Sequence, residues 1–191
     1  NGIKMANATN GLAVGSAGTA LRTTNGTSWA PVSTGISTSL TLFSVDTMNP
    51  ATNGWATGEL EVSSGYHKGA IMKFNGSSWS QWDTGNSSGV RWLTSIDMVN
   101  STIGYAAGNN TGADPNYNNV YKTTDGGATW SAMSSGTGKM LNNVAFMDRN
   151  VGYAMGDEGR TIRTTDGGAT WTIEALGTNI PMFGATAVPN S

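Results

Sequence analysis

Thr164-Thr165-Asp166-Gly167-Gly168-Ala169-Thr170-Trp171 repeats, without one change, the stretch Thr123-Thr124-Asp125-Gly126-Gly127-Ala128-Thr129-Trp130. An acidic residue in such a turn can accept hydrogen bonds from the backbone N–H groups just ahead of it. The glycines supply positive φ. The tryptophan opens the next strand, where it can fill space between neighbours while its indole N–H finds a partner. Two looser copies lie upstream, Thr23-Thr24-Asn25-Gly26-Thr27-Ser28-Trp29 and Lys73-Phe74-Asn75-Gly76-Ser77-Ser78-Trp79. They are one residue shorter and carry Asn for Asp. Asn-Gly is the preferred two-residue type I′ hairpin turn, so these copies are expected to keep the hairpin with different turn chemistry.

Outward from each turn the same order recurs. A Gly-aromatic-Ala-x-Gly core precedes it: Gly54-Trp55-Ala56-Thr57-Gly58, Gly104-Tyr105-Ala106-Ala107-Gly108 and Gly152-Tyr153-Ala154-Met155-Gly156, with Gly11-Leu12-Ala13-Val14-Gly15 as the first copy. A strand-like segment links core and turn, as in Val120-Tyr121-Lys122-Thr123 and Thr161-Ile162-Arg163-Thr164. Another alternating segment precedes each core, as in Leu93-Thr94-Ser95-Ile96-Asp97-Met98. Each unit therefore reads as four short strands, a to d, marked by period-2 alternation and bounded by Gly, Asn and Asp. A four-stranded unit of this length, repeated, predicts an all-β β-propeller of antiparallel blades. The expected blades are 1–38, 39–89, 90–139 and 140–177 in one repeat domain. Residues 178–191 read as the first strand of a further blade or as a closing strand.

The turn resembles the Asp-box, or bacterial neuraminidase repeat. The longer pattern, Gly-Tyr-Ala-x-Gly followed by Thr-Ile-Arg-Thr-Thr-Asp-Gly-Gly-Ala-Thr-Trp, is similar to the photosystem II stability/assembly factor family and its bacterial relatives. The resemblance implies that the Asp-box is a folding device remote from any active site. It makes Thr123, Asp125, Gly127, Trp130, Thr164, Asp166, Gly168 and Trp171 structural residues.

Composition narrows the function. The 191 residues include 27 Gly, only 12% charged residues and no Cys, with a net charge of −2. Thiolate metal sites and disulfides are excluded. The clustered basic face that nucleic acid requires is missing, and no apolar run is long enough to span a membrane. The low-charge, hydroxyl-rich surface fits an extracellular or cell-surface protein, with periplasm or thylakoid lumen as alternatives. The chain begins at Asn1 without a targeting signal, as expected of a processed product or a piece of something longer.

Catalytic constellations are weak. Sialidases carry Asp-boxes and an arginine cluster, but here Arg22 and Arg163 share one strand-c position, with Lys73 and Lys122 near it, which is repeat structure with local pairing. The acid pairs Glu59/Glu61 and Asp157/Glu158 lie at loop starts, where a glycosidase would need two acids flanking a cleft. The lone His67 excludes a multi-histidine metal site. Asp114-x-Asn116-x-Asn118 resembles the opening of a Ca²⁺ loop, yet Asn119 replaces its glycine. No enzyme, metal or cofactor is expected.

The repeats differ most between strands b and c. The connections Glu59–Gly69 and Asn109–Asn119 are long, whereas the other two are short. Up-and-down strands would place these connections and the d-to-a connections on one face. The expected binding face is Tyr66, His67, Lys68, Tyr117, Asp114, Trp82, Arg91 and Trp92, since Tyr, Trp and Arg dominate interface hot spots. The alternative is that the long connections merely extend hairpins and the tryptophans are core. The reading is a non-catalytic binding or scaffold module with a protein or glycan partner. The alternatives are a subunit of an extracellular filament that self-assembles through exposed edge strands, and a sialidase-like glycosidase fragment.

Overall fold

The computed structural model describes residues 1–36, 39–82, 90–110 and 118–186. The chain is a β-propeller array of four antiparallel four-stranded sheets, each in simple up-and-down order. It divides into two compact units, Asn1–Gly85 and Asn86–Ser191.

The first unit holds blade 1, made of β1 (Gly2–Met5), β2 (Gly11–Val14), β3 (Ala20–Thr23) and β4 (Ala30–Pro31), and blade 2, made of β5 (Leu40–Asp46), β6 (Gly54–Ser63), β7 (Tyr66–Phe74) and β8 (Trp79–Trp82). Its core is the seam between the two blades, where Leu12, Val14 and Ala20 meet Leu42, Val45, Ala56, Met72 and Phe74. The second unit holds blade 3, made of β9 (Val90–Met98), β10 (Gly104–Asn110), β11 (Val120–Thr123) and β12 (Ser131–Met133), and blade 4, made of β13 (Leu141–Phe146), β14 (Gly152–Gly156), β15 (Thr161–Thr164) and β16 (Thr172–Glu174). Its seam packs Tyr105, Ala107 and Val120 against Val144, Phe146, Ala154 and Ile162. Alternation is what makes these seams possible: side chains of one row of a sheet face its partner blade within the unit, and those of the other row point the opposite way.

The last glycine of each core is there for close approach. A Cβ at Gly58, Gly108 or Gly156 would collide with the carbonyl of Thr41, Trp92 or Met140 respectively. At each of these places strand a changes register against strand b. The missing side chain makes room for a bulge that bends the inner strand.

The turns at 123–130 and 164–171, which resemble the Asp-box, are hydrogen-bonded knots. Asp125 Oδ1 accepts from the Thr129 N–H at 2.9 Å and from the Thr123 hydroxyl at 2.9 Å, and Oδ2 accepts from the Thr129 hydroxyl at 2.6 Å. The Gly127 N–H donates to the Thr123 hydroxyl at 2.8 Å. Asp166 repeats this with Thr170, Thr164 and Gly168. Donation from the threonine hydroxyl, then from its backbone N–H, holds both carboxyls down to about 2.

Two expectations about these turns are corrected. In the Asn copies only the glycine has positive φ (Gly26 at 73°, Gly76 at 97°), so neither turn is type I′. Asn25 and Asn75 instead imitate the Asp-box through the amide oxygen, which accepts two backbone N–H groups at 2.9–3.0 Å in each turn. The indole N–H groups of Trp79, Trp130 and Trp171 are buried and make no hydrogen bond. The rings serve as apolar spacers: Trp79 lies 5.1 Å from Phe74, and Trp171 stands edge-on to Phe146 at 6.0 Å.

Two of the strand-c cations, Arg22 and Lys122, are staples between blades. The Arg22 guanidinium in blade 1 donates to the Gly76 carbonyl in the turn of blade 2 at 3.0 Å. The Lys122 ammonium in blade 3 donates to the Gly167 carbonyl in the turn of blade 4 at 2.8 Å.

Candidate binding site

The Glu59–Gly69 connection is not a loop. β6 and β7 continue their ladder from Gly54↔Phe74 to Ser63↔Tyr66, closed by Ser64 and Gly65, the latter at φ 76°. β6 has 10 residues and β7 has 9, against 4 or 5 for the paired strands b and c of blades 1 and 4. The ladder therefore projects beyond the blade as a hairpin arm. Its polar face carries Glu59, Glu61 and His67, because residues two apart on a strand share a face. His67 Nδ1 lies 3.0 Å from the Glu59 carboxylate. The Glu61 carboxylate accepts from the Gly65 N–H at 3.3 Å. Near the base, Leu60 packs on the core of the unit. At the tip, Val62 is 45% and Tyr66 54% exposed.

Tyr66, His67 and Lys68 share the arm, with Lys68 opposite Leu60. Trp82 belongs to the same blade but pairs with Ile71 at the arm's base, about 16 Å along β7 from Tyr66 by strand rise. Arg91 and Trp92 lie on β9 in the second unit, where Arg91 is exposed and Trp92 sits opposite Asn109 at the bulge. Asp114 and Tyr117 fall outside the described residues.

The acids considered for catalysis have partners within their own units. Glu59 faces His67. Glu158 takes the Lys139 ammonium at 2.7 Å and stands at φ 55° in a one-turn 3-10 segment, Asp157–Gly159. Asp157 accepts from the Asn142 amide at 3.1 Å. Among the described residues, no group of three or more His, Asp or Glu could hold a metal ion. No described helix is long and apolar enough to cross a membrane.

Sequence reasoning missed the role of Asn119. It is 1% exposed, and its amide donates to the carbonyls of Thr137 and Lys139 at 3.1 and 2.9 Å, tying strand c of blade 3 to the following connection. A lone Asn in an Asn-rich segment carried no signal of this.

Comparison with known proteins reaches the fold alone. No protein-family model and no curated protein matches the chain. Among solved structures it is similar to YCF48 from Cyanidioschyzon merolae, at 19% identity and a TM-score of 0.62 over 92% of this chain and 56% of that one. It is also similar to a GH74 enzyme of Niastella koreensis (22% identity, TM-score 0.61, 90% of this chain and 29% of that one). An ancestral GH74 enzyme matches as well (19%, TM-score 0.64, 88% and 23%). The chain thus spans just over half the length of YCF48 and under a third of either GH74 chain. It shares with all three the propeller architecture of repeated four-stranded blades.

Proposed function

We propose that this chain is a non-catalytic binding module, a propeller scaffold that offers the β6–β7 arm to a protein partner. The observation that carries the reading is the arm itself. A hydrogen-bonded ladder extends past its blade and ends in an exposed Tyr66, with Lys68 two residues along on the same face and Glu61 and His67 on the other. An exposed aromatic held on a strand ladder, with polar groups close by, suits a protein interface. The propeller likeness to YCF48 supports an assembly-factor-like role. A secreted, surface or lumenal setting fits the Asn/Ser/Thr-rich, low-charge composition.

The test selects binders to the chain from a displayed peptide library and measures them against Tyr66→Ala. Loss of binding with an unchanged melting temperature supports the arm as the contact. Binders that ignore Tyr66→Ala and Lys68→Glu, and so map elsewhere, defeat it.

The likeness to GH74 enzymes keeps one enzyme reading alive, with Glu59 and Glu61 as its acids. Hydrolysis of a fluorogenic glycoside panel that Glu59→Gln abolishes would replace the binding reading.

A further inference from the structure

Asn-Gly occurs five times in the chain, at Asn1, Asn10, Asn25, Asn53 and Asn75. In this pair the backbone nitrogen after the asparagine has its easiest path to the side-chain amide, because glycine has no Cβ to crowd the approach. Folding treats the five differently. Gly2, Gly11 and Gly54 open β1, β2 and β6 and are paired in their ladders, so their nitrogens are held in extended strands. Asn25-Gly26 and Asn75-Gly76 lie instead in the turns between strands c and d, and both asparagines are exposed.

Both turns activate the side-chain carbonyl. Asn75 Oδ1 accepts from the Ser77 N–H at 3.0 Å, the Ser78 N–H at 2.9 Å and the Ser77 hydroxyl at 3.0 Å. Asn25 Oδ1 accepts from the Thr27 and Ser28 N–H groups at 3.0 and 2.9 Å. Such donors face the oxygen on which negative charge collects when a nucleophile adds to Cγ, as in an oxyanion hole. Asn7 and Asn100 have the same cradle, but Ala8 and Ser101 follow them, and a side chain there crowds the approach.

The two turns differ in the attacking and leaving groups. In blade 1 the Gly26 N–H donates to the Thr23 hydroxyl at 2.9 Å, and Asn25 Nδ2 donates to the Ser28 hydroxyl at 2.9 Å. Nucleophile and leaving group are both tied. In blade 2 the ladder place of Thr23 belongs to Phe74, which pairs with Gly54 as Thr23 pairs with Gly11. Phe74 has no oxygen to offer. Among the described residues, neither the Gly76 N–H nor Asn75 Nδ2 makes a hydrogen bond.

We infer that Asn75 is a self-modification site, at which the folded chain deamidates its own turn. The Gly76 nitrogen adds to Asn75 Cγ while its proton passes to solvent base. The Cγ–Nδ2 bond breaks, and the nitrogen leaves as ammonia with a proton from solvent. The five-membered succinimide then takes up one water. Opening at Cγ gives aspartate, and opening at the main-chain carbonyl gives isoaspartate. In sum, amide and water become acid and ammonia, with no oxidant and no cofactor.

The two products act differently on the joint between blades 1 and 2. Aspartate brings the acid that Asp125 and Asp166 supply to the corresponding turns of the second unit. Isoaspartate routes the main chain through Cγ and lengthens it by one atom. Gly76, at φ 97°, lies so close to its surroundings that a Cβ would meet the Ala51 carbonyl, and its own carbonyl takes the Arg22 guanidinium at 3.0 Å. The turn has no slack for the extra atom, so the isoaspartate form gives up the Arg22 staple.

The test incubates the 191-residue chain in mildly alkaline buffer and follows each asparagine by peptide mapping and by labelling with an isoaspartyl methyltransferase. Asn75 should convert at least about fivefold faster than Asn25, the rate equivalent of one hydrogen bond. In denaturant the contrast should vanish. Thr23→Val, which frees the Gly26 N–H, should speed Asn25. The isoaspartate form should melt below an Asn75→Asp variant. Equal rates in the folded chain overturn the inference, and so does a preference for Asn75 that persists undiminished in denaturant. A folded Thr23→Val with Asn25 no faster than in the parent overturns the role given to the tied nitrogen. An isoaspartate form as stable as Asn75→Asp overturns the loss of the staple.

Discussion

The Tyr105 hydroxyl donates to the Gly167 carbonyl at 3.0 Å across 62 residues of chain. One residue comes from the Gly-Tyr-Ala-x-Gly core of blade 3 and the other from the Thr-Asp-Gly-Gly turn of blade 4. The ring between them stacks on Phe146 at 3.5 Å, nearly parallel, and its hydroxyl also reaches the Arg149 carbonyl at 3.2 Å. The two most regular motifs of the sequence are thus the two sides of one joint.

Replacing the hydroxyl tests the joint without disturbing its packing. Tyr105→Phe should keep the fold and lower stability by about 1 kcal/mol, the usual net worth of such a hydrogen bond. Denaturant melts followed by near-ultraviolet circular dichroism measure it. A variant as stable as the parent would mean that stacking alone holds the seam.

The same residue should betray itself in alkali. Burial, aided by the charges of Asp148 and Asp166, pushes the Tyr105 phenol up to about 12. A raised folded value means that the neutral form is favoured in the native state. Its contribution is complete below the unfolded value near 10 and is lost as pH rises from there towards 12. Absorbance titration at the phenolate band should show one tyrosine ionising late, and Tyr105→Phe should remove that step.

Acid should act on the second unit. Asp125 and Asp166 are held down to about 2. A lowered folded value gives stability present above the unfolded value near 3.8 and lost as pH falls from there through about 2. The first unit has Asn25 and Asn75 in these places, which do not titrate. Hydrogen exchange at descending pH should open the turns at 123–130 and 164–171 before those at 23–29 and 73–79. Asp125→Asn with Asp166→Asn should flatten the difference.

Gly108→Ala should destabilise by about 1–3 kcal/mol, as overpacking does. The new methyl would meet the Trp92 carbonyl, which is backbone and cannot swing aside. Ala107→Gly, next to it, should cost less and leaves the bulge intact. Thermal melts of the two variants compare them directly.

Much of this was legible without coordinates. The identity of residues 123–130 with 164–171 and the glycine cores, which recur 43, 50 and 48 residues apart, determine four blades of four strands, because periodicity and turn chemistry are local properties of the chain. The roles of Asp125 and Asp166 followed from the same local logic, since their partners lie within four residues. The tertiary structure decided what depends on distant neighbours. Arg22 and Lys122 looked like repeated surface cations, yet each reaches a carbonyl at least 45 residues away. The Glu59–Gly69 stretch read either as a binding loop or as an extension of its hairpin, and cross-strand pairing decided for the extended hairpin. Ile3 and Val144 occupy the same place on strand a of blades 1 and 4, and no pattern along the chain separates them. One is 65% exposed and the other 3%, because only packing in space settles which rows are covered.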